Sequence, residues 1–448
     1  MRMSPRFRAS LVRTSVVAAL LATASIGCGS TTDPATPPSV VDTVDVARSE
    51  LTRNTSPAVD DAALKEVVQG NDAFAVDMYK RIANGKSAGK NLFFSPHSIS
   101  AAFAMLHGGA VGTSKSDIAK TMHFTLPDET FHPAMNKLGL ELESRANGGT
   151  GTGSDGKGFR LALENSFWGQ KTYTWEKPYL DILGVNYGAG INLVDFAKDP
   201  EASRKTINLW TEEKTEKRIK ELLPENSIGT DTAFVLVNTV YFNAAWLEEF
   251  QQTQMPFTNA AGTVSDVAGI IQSGNDFRYA TSDEADIVAM PYEGRKIEFI
   301  AIVPKDIAAY EASLDAVKLE GLIGRLQPKV VTLTMPKFKI EGATISLKEE
   351  LTALGMGSIF SDGTADFSGM TKSAGLVIDD VYHQAFVKLN EKGTEAAAAT
   401  AIVGRETSAA VDPPIVVKVD RPYLFMVRDV PTGAILFAGR MLAPAYSE

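Results

Sequence analysis

The amino-acid sequence predicts an α+β fold with large, mostly antiparallel sheets, and three observations lead to that prediction. Helical patterns of apolar residues dominate the first half of the chain. Runs rich in Val, Ile, Phe and Tyr, which favour strands, dominate the second half. From residue 62 onwards, no linker-like composition or internal repeat divides the sequence. Helices first and strands later, in one uninterrupted stretch, are typical of a single α+β domain with a substantial core.

The N-terminal residues predict export. In residues 1–28, four arginines precede an uncharged run over 16–26, which is too short to span a bilayer and suits a signal peptide. Cleavage after Ala24 would release a secreted protein. The sequence Ser-Ile-Gly-Cys at 25–28 instead resembles a bacterial lipobox, with Cys28 as the lipidated residue. We favour the lipoprotein, facing the periplasm or the exterior, because a polar tether follows the solitary cysteine.

Residues 29–61 are rich in Ser, Thr, Pro and Asp and have no sustained apolar period, which predicts a flexible tether. The domain is therefore predicted to span residues 62–448. Three stretches in it have apolar residues at helical spacing or nearly continuous small and apolar residues: Ala62–Ala83, Ser98–Gly108 and Glu201–Leu223. The clearest strand patterns are Ala233–Phe242, Lys296–Val303, Val330–Ile340, Leu376–Leu389, Ile415–Val419, Tyr423–Val427 and Ala434–Arg440.

Composition excludes several functional classes. The net charge of −10 argues against a broad nucleic-acid surface. The one cysteine excludes internal disulfides and multi-cysteine zinc sites, and the five histidines include no His-Glu-x-x-His pair. We therefore expect no cofactor, no metal and no nucleic-acid partner.

Two catalytic patterns are rejected. Residues 147–158 contain a formal dinucleotide fingerprint, but a helical stretch precedes the glycines and a strand-like run follows them, which reverses the required order. We interpret this stretch as a surface insertion. A Ser-His-Asp hydrolase lacks support because no serine lies in a Gly-x-Ser-x-Gly elbow. His383 lies in a strand-like run, where a hydrogen-bonded core histidine is the favoured interpretation.

The segment over 391–412 carries the functional prediction. It follows a strand-like run and begins with a glycine and a series of small residues. On its own it could be an exposed, alanine-rich loop. If it became a strand, Thr394, Ala396, Ala398, Thr400 and Ile402 would share one small, uncharged face, which could enter between two existing strands.

Five motifs show that the chain resembles the serpin family over residues 62–446. They are the hinge Glu391-Lys392-Gly393-Thr394-Glu395-Ala396-Ala397-Ala398-Ala399-Thr400, the helix start Asn91–Ser100, the strand Leu236–Phe242 with Trp246, the strand Val381–Val387 and the C-terminal Asp420–Phe425. The resemblance implies helices around a large mixed central sheet, two further sheets and an exposed reactive-centre loop.

The resemblance also implies a suicide inhibitor of serine proteases rather than an enzyme. A protease would cleave the exposed loop, form an acyl-enzyme and be trapped when the loop inserts into the central sheet. Ser95, Ser98, Asn238 and His383 would form the shutter beneath the opening strands, and Trp246 would lie at the breach above them. Thr394→Arg should then turn the inhibitor into a substrate.

In the inhibitory serpins that the chain resembles, the cleaved bond lies at a set distance after the hinge glutamate, and this resemblance implies a reactive bond at Thr407–Ser408. This bond favours a target of elastase or subtilisin type, acting on a monomeric inhibitor. Arg405 is the alternative and would attract a trypsin-like protease. A bond within Ala409–Val411 also stays open, because the stretch from Ser408 to Asp420 is slightly long. The main rival function is a non-inhibitory serpin that acts as a carrier or chaperone. A surface-anchored binding module is the other class considered.

Overall fold

The computed structural model describes residues 44–147, 159–341, 344–373, 375–394 and 413–447, and its elements follow the predicted order. The helices are α1 (Asp61–Asn84), α2 (Pro96–His107), α3 (Gly112–Thr121), α4 (Asp128–Asn147), α5 (Lys177–Tyr187), α6 (Pro200–Lys214), α7 (Ile307–Ser313), α8 (Ala316–Ile323) and α9 (Lys348–Leu351), which continues as irregular helical turns to Phe360.

The strands alternate with the helices at first and then follow one another. They are β1 (Val46–Ala47), β2 (Leu92–Phe94), β3 (Arg160–Gln170), β4 (Ile191–Val194), β5 (Phe234–Ala245), β6 (Gln251–Thr258), β7 (Val264–Thr281), β8 (Ala285–Pro291), β9 (Ile297–Pro304), β10 (Gln327–Pro336), β11 (Phe338–Glu341), β12 (Ile345–Ser346), β13 (Val381–Asn390), β14 (Gly393–Thr394), β15 (Ile415–Lys418), β16 (Tyr423–Asp429) and β17 (Ile435–Met441).

A mixed central sheet positions the candidate site. Its strand order is β1-β4-β3-β5-β14-β13-β11, and β12 also pairs with β13. The β5 strand is antiparallel to β3 and parallel to β13, so the pairing direction changes within the sheet. Every residue of β5 except its last is buried, because both faces of this strand are covered by apolar side chains.

The remaining strands form a nine-stranded sheet in the order β15-β10-β7-β8-β9-β16-β17-β2, with β6 also paired to β7. The family resemblance implies two further sheets, whereas among the described residues these strands are hydrogen-bonded into one. The reason is β7, whose 18 residues pair with β6 along one part and with β8 along another.

Helix α2 lies in the core and contacts both β5 and β17. It begins at a favourable sequence: the Ser95 side chain caps it by accepting the Ser98 backbone N–H, and Pro96 occupies its first turn. Eleven of its twelve residues are buried, because the sequence is apolar or small on nearly all sides. The helix therefore fixes Ser95 and Ser98 directly under the central sheet.

Three predicted elements differ from the observed ones. The strand predicted over 376–389 begins only at Val381, after residues without regular structure. The helix predicted over 201–223 ends at Lys214, and left-handed backbone at Glu216 and Lys217 follows. The strand predicted over 330–340 is divided at Lys337 into β10 and β11, which belong to different sheets. Pro336 has no backbone N–H to continue the ladder, so it favours the change of sheet.

The predicted tether also differs from the structure in its second part. Over 44–60 the chain packs on the domain: Val46–Ala47 pairs with β4, and the Arg53 side chain donates to Asn136 and Glu143. Asp60 then caps α1. The apolar pattern of this segment is too short to predict a strand. Its attachment depends on backbone pairing and on single polar contacts, which the composition does not predict. The packed domain thus includes residues before 62.

The predicted signal peptide with Cys28, residues 29–43 of the tether and residues 148–158 of the glycine-rich stretch lie outside the described residues. The elements that flank the insertion have the predicted order, with α4 before it and β3 after it. No helix in the described part of the chain has both the length and the apolar character needed to cross a membrane.

Candidate functional site

The first residues of the loop already lie within the central sheet. The chain leaves β13 at Asn390, turns at Glu391 and Lys392, and returns as β14, the two-residue strand Gly393–Thr394. Strand β14 is antiparallel to both of its neighbours, with Thr394 opposite Leu389 on β13 and opposite Ala244 on β5. The predicted hinge is thus a strand that has begun to separate β5 from β13.

Gly393 is required at this position by a close backbone approach. Its φ is +153°, and a Cβ atom built on it would lie 2.0 Å from the carbonyl oxygen of Ala244. Any side chain would push the hinge away from β5, so the residue that the resemblance identifies in the hinge has a steric function in the native fold.

Thr394 is anchored by aromatic residues at the same end of the sheet. Its side chain is buried, and its hydroxyl lies 2.6 Å from the Tyr292 hydroxyl. Tyr292 stacks on Trp246 with ring centroids 4.5 Å apart. The Trp246 indole N–H donates to the carbonyl of Asn390, and its backbone N–H donates to the carbonyl of Lys392. Trp246, predicted at the breach, therefore holds the turn from which the loop departs.

A buried ion pair fixes the hinge glutamate. The Nζ atom of Lys337 lies 2.6 Å from Oε2 of Glu391, and the two side chains are 8% and 15% exposed. The Gln252 amide donates to the other carboxylate oxygen. Burial alone would raise the pKa of Glu391, but the Lys337 ammonium and the surrounding hydrogen bonds outweigh it and leave the pKa below its usual range. The pair therefore connects the turn that follows β13 to Lys337, the residue between β10 and β11.

Breaking this pair from one side should destabilise the fold more than removing both charges. We expect Glu391→Gln to lower the free energy of unfolding by roughly 2–4 kcal/mol, since it leaves the Lys337 charge buried without its partner. The double variant Lys337→Met, Glu391→Gln should recover most of that loss. Urea unfolding of the three proteins measures both effects, and equal stability of the single and double variants would contradict the assignment.

Below the hinge, β5 and β13 are paired directly. Residues 381–385 of β13 lie in parallel register with residues 236–240 of β5, which brings His383 opposite Asn238 and Ala385 opposite Val240. Further insertion of the loop would have to open this stretch. The sheet is therefore open at the hinge and closed beneath it.

The four predicted shutter residues lie together at the closed stretch. The His383 ring is between two groups: its Nε2 lies 3.2 Å from the Ser95 backbone nitrogen and its Nδ1 lies 2.5 Å from Asn238 Oδ1. The Asn238 amide donates to the Ser98 hydroxyl and to Asn165 Oδ1, at 2.6 Å and 2.5 Å. The contacts join α2, β3, β5 and β13 at one buried point.

These contacts determine the form of His383. A backbone N–H can only donate, so Nε2 must accept, and the proton lies on Nδ1, which donates to Asn238. Burial lowers the pKa of His383 to about 3, so the ring is neutral at neutral pH. It contacts an amide rather than a carboxylate and a backbone nitrogen rather than a serine hydroxyl, and this geometry does not form a hydrolase triad.

The rest of the predicted loop site lies outside the described residues. This part comprises the hinge residues Glu395, Ala396, Ala397, Ala398, Ala399 and Thr400 and the candidate reactive-bond residues Arg405, Thr407 and Ser408. The last described residue before this part is Thr394, in the central sheet. The described chain resumes at Pro413 and enters β15, which stands at one end of the strand order of the other sheet.

Three residues of the site were not singled out by the sequence: Tyr292, Lys337 and Asn165. Lys337 had a usable signal, since a lysine between Pro336 and Phe338 in a strand-like apolar run needs a buried partner. Tyr292 and Asn165 had none, because their contacts depend on strands that are distant in sequence.

Comparison with known proteins gives one family. The family model described as "Serpin (serine protease inhibitor)" matches residues 69–444. The chain is 34% identical over 389 residues to an uncharacterized serpin-like protein of Methanosarcina acetivorans, with 86% of this chain and 87% of that protein covered. It is 34% identical over 394 residues to leukocyte elastase inhibitor A of Mus musculus, with 85% of this chain and 100% of that protein covered.

The fold agrees with these relatives. The crystal structure of the thermophilic serpin Tengpin in the native state matches with a TM-score of 0.76 and 25% identity, covering 89% of this chain and 100% of that one. The predicted α+β serpin fold is confirmed. Members of this family are generally protease inhibitors rather than enzymes. By its family model, its relatives and its fold, this chain belongs to the serpin family.

Proposed function

We propose that this protein is a suicide inhibitor of serine endopeptidases. The observation that carries the proposal is the position of Gly393 and Thr394 between β5 and β13, in the register that a longer inserted strand would use. A protease would cleave the loop and remain bound as an acyl-enzyme. Insertion of the cleaved loop would then move and distort the protease before water could release it.

Loop insertion is favourable only if the native central sheet, in which β5 and β13 pair directly, is less stable than the same sheet with the loop inserted between them. An inserted strand gains roughly 0.5–1.5 kcal/mol for each hydrogen bond, and ordering the backbone costs about 1–2 kcal/mol for each residue. These contributions nearly cancel. The surplus must come from burial of the inward face and from the better pairing of β5 and β13 with a strand between them.

For the reactive bond we propose Thr407–Ser408, with a target protease of elastase or subtilisin type. Threonine suits a pocket for small or medium apolar side chains. The relation to a mouse protein named as a leukocyte elastase inhibitor supports the same target class. Arg405 is the competing residue, and a trypsin-like target would follow from it.

Incubation with elastase, subtilisin and trypsin in turn tests the proposal. We expect a covalent, SDS-stable complex with elastase or subtilisin, and mass spectrometry should find the released C-terminal peptide beginning at Ser408. The variant Arg405→Gln is the matched control, and it should leave that complex unchanged because the residue would not enter the primary pocket.

Other outcomes separate the alternatives. A complex with trypsin alone and a new N-terminus at Glu406 would move the reactive bond to Arg405. Cleavage by all three proteases without any complex would contradict inhibition and favour a carrier or binding function on the same fold.

A further inference from the structure

A group of metal-ligating side chains lies away from the loop site, where α2 ends and α4 begins. His107 is the last residue of α2, and Asp128 and His132 lie one turn apart on α4. One ring nitrogen of each histidine and one oxygen of Asp128 all lie within 4.8 Å of one another. Imidazole and carboxylate are ligands that Zn²⁺ prefers, and three such groups leave a fourth position for water.

The two histidines each have a buried nitrogen with nothing to bond. Within the described part of the chain, neither Nδ1 of His107 nor Nε2 of His132 has a hydrogen-bond partner. His107 is 5% exposed and His132 is 3% exposed. Buried polar atoms usually have a hydrogen-bond partner. Two ring nitrogens without one, beside the same carboxylate, are therefore suited to binding a cation.

The nearest polar groups suit a cation better than a further hydrogen bond. His107 Nδ1 lies 3.8 Å from Asp128 Oδ1, which is beyond hydrogen-bonding distance but close to the separation of two ligands on one metal ion. Tetrahedral zinc would bring ligand atoms to about 3.3 Å from each other. The Asp128 side chain is 39% exposed and can make this adjustment.

The His132 ring also has a polar partner at its other nitrogen. The Nδ1 atom of His132 lies 2.8 Å from the Tyr187 hydroxyl oxygen. If Nδ1 donates its proton to that oxygen, Nε2 keeps the lone pair that a metal ligand needs. Tyr187 would then be the outer-shell partner that orients the His132 ring.

We propose that His107, Asp128 and His132 bind a zinc ion that links the C-terminal end of α2 to the first turn of α4. Phe124 and Phe131 enclose the His107 ring and limit access of water. Lys115 is bonded to the second oxygen of Asp128, and its positive charge opposes the metal ion. The affinity of the natural site is therefore held below what its three ligands alone would give.

The full chain, freed of metal with a chelator, should bind one Zn²⁺ in a calorimetric titration. Zinc should also raise the thermal midpoint, because it binds the folded protein. Asp128→Asn keeps the shape of the site and should remove most of the affinity, as should His107→Asn and His132→Gln. Tyr187→Phe should weaken binding roughly 10–100-fold, as loss of an outer-shell partner does, and Lys115→Met should strengthen it.

The control is His123→Asn. His123 also lies against an aspartate, with Nε2 2.8 Å from Asp77 Oδ2, but no second histidine joins that pair. Its replacement should leave zinc binding unchanged. Absence of binding to the unmodified chain would overturn the proposal, and so would binding that survives both Asp128→Asn and His132→Gln in variants that melt cooperatively.

Discussion

Replacing Ala398 with arginine is expected to abolish the SDS-stable complex and leave a fully cleaved substrate, whereas arginine at Ala397 should leave complex formation largely intact. The two residues are adjacent and the substitution is the same. The expected difference arises from the alternation of faces along a strand, because only one of the two side chains would enter the core when the loop inserts.

The observed pairing of Thr394 predicts that the side chain of Ala398, and not that of Ala397, would enter the core. Thr394 lies opposite Ala244 on β5, and continuing that antiparallel pairing brings Ala398 opposite Val240. The same continuation on β13, where Thr394 lies opposite Leu389, brings Ala398 opposite Ala385. Val240 and Ala385 belong to one apolar cluster and now pair with each other. Ala398 would thus replace their contact from within, and a small side chain is needed there.

Ala397 would take the other face. The same register brings it opposite Tyr241, whose hydroxyl lies 3.3 Å from Glu216 Oε2. The Glu216 side chain is 48% exposed. This carboxylate already pairs with Arg160, so an arginine at position 397 would lie beside a polar group accessible to solvent and its charge would remain hydrated.

The size of the effect follows from the competition between insertion and deacylation. Burial of an unpaired charge costs several kcal/mol, and each ~1.4 kcal/mol added to the insertion barrier slows insertion tenfold. Deacylation would then precede insertion in Ala398→Arg. Densitometry of complex against cleaved inhibitor measures the ratio, with whichever protease the unmodified chain traps. Equal yields of complex from the two variants would exclude insertion in this register.

The structure also changes the choice of test residue. The sequence suggests Thr394→Arg, but Thr394 is 1% exposed in the native fold and its hydroxyl contacts Tyr292. Arginine there would disturb the native hinge as well as insertion, so its effect could not be assigned to either step. Ala398 lies four residues after Thr394, so its replacement leaves the observed contacts of Thr394 unchanged.

The shutter shows how much of the site was accessible from the sequence. Ser95, Ser98, Asn238 and His383 were predicted from motifs that are distant in the chain, and the structure brings all four to one buried point. Their hydrogen-bond directions could not be predicted, because they depend on which ring nitrogen faces the Ser95 backbone N–H. That detail required the packing of α2 against β13.

Features built from single residues on separate elements were not predictable. The attachment of residues 44–60 depends on a two-residue strand and on the polar contacts of Arg53, neither of which leaves a periodic pattern. The sequence predicts no metal, because it contains no short zinc motif. The proposed site of His107, Asp128 and His132 has its side chains on two helices, so only the folded chain brings them together.

The stability of the fold should fall on acidification through His383, and the variant His383→Gln should lose this part of the pH dependence. The ring is fully buried, and its pKa is about 3 in the fold against 6.5 for the free side chain. Between pH 3 and pH 6.5, this histidine binds a proton in the unfolded chain but stays neutral in the folded chain. The stabilisation is therefore complete above pH 6.5 and is lost as the pH falls towards 3, by up to about 1.4 kcal/mol per pH unit.

Glutamine can still accept the Ser95 backbone N–H but cannot titrate. At about pH 8 we expect His383→Gln to be less stable than the parent by roughly 1–3 kcal/mol, since the Asn238 oxygen loses its donor. This difference in the free energy of unfolding between the parent and His383→Gln should narrow as the pH is lowered to about 4.5. Ser98→Ala is the matched control: it removes a neighbouring hydrogen bond without a titrating group, so its gap should stay constant.

Urea unfolding midpoints of the three proteins across this pH range measure the effect. A gap that stays constant for His383→Gln would mean that the ring is not held neutral by the shutter contacts. A narrowing gap would place the proton-sensitive group on β13, opposite Asn238 of β5, at the pair that must separate when the loop inserts. A protonated ring would present an N–H to the Ser95 N–H, so acid would weaken the closed part of the sheet at the point where insertion has to open it.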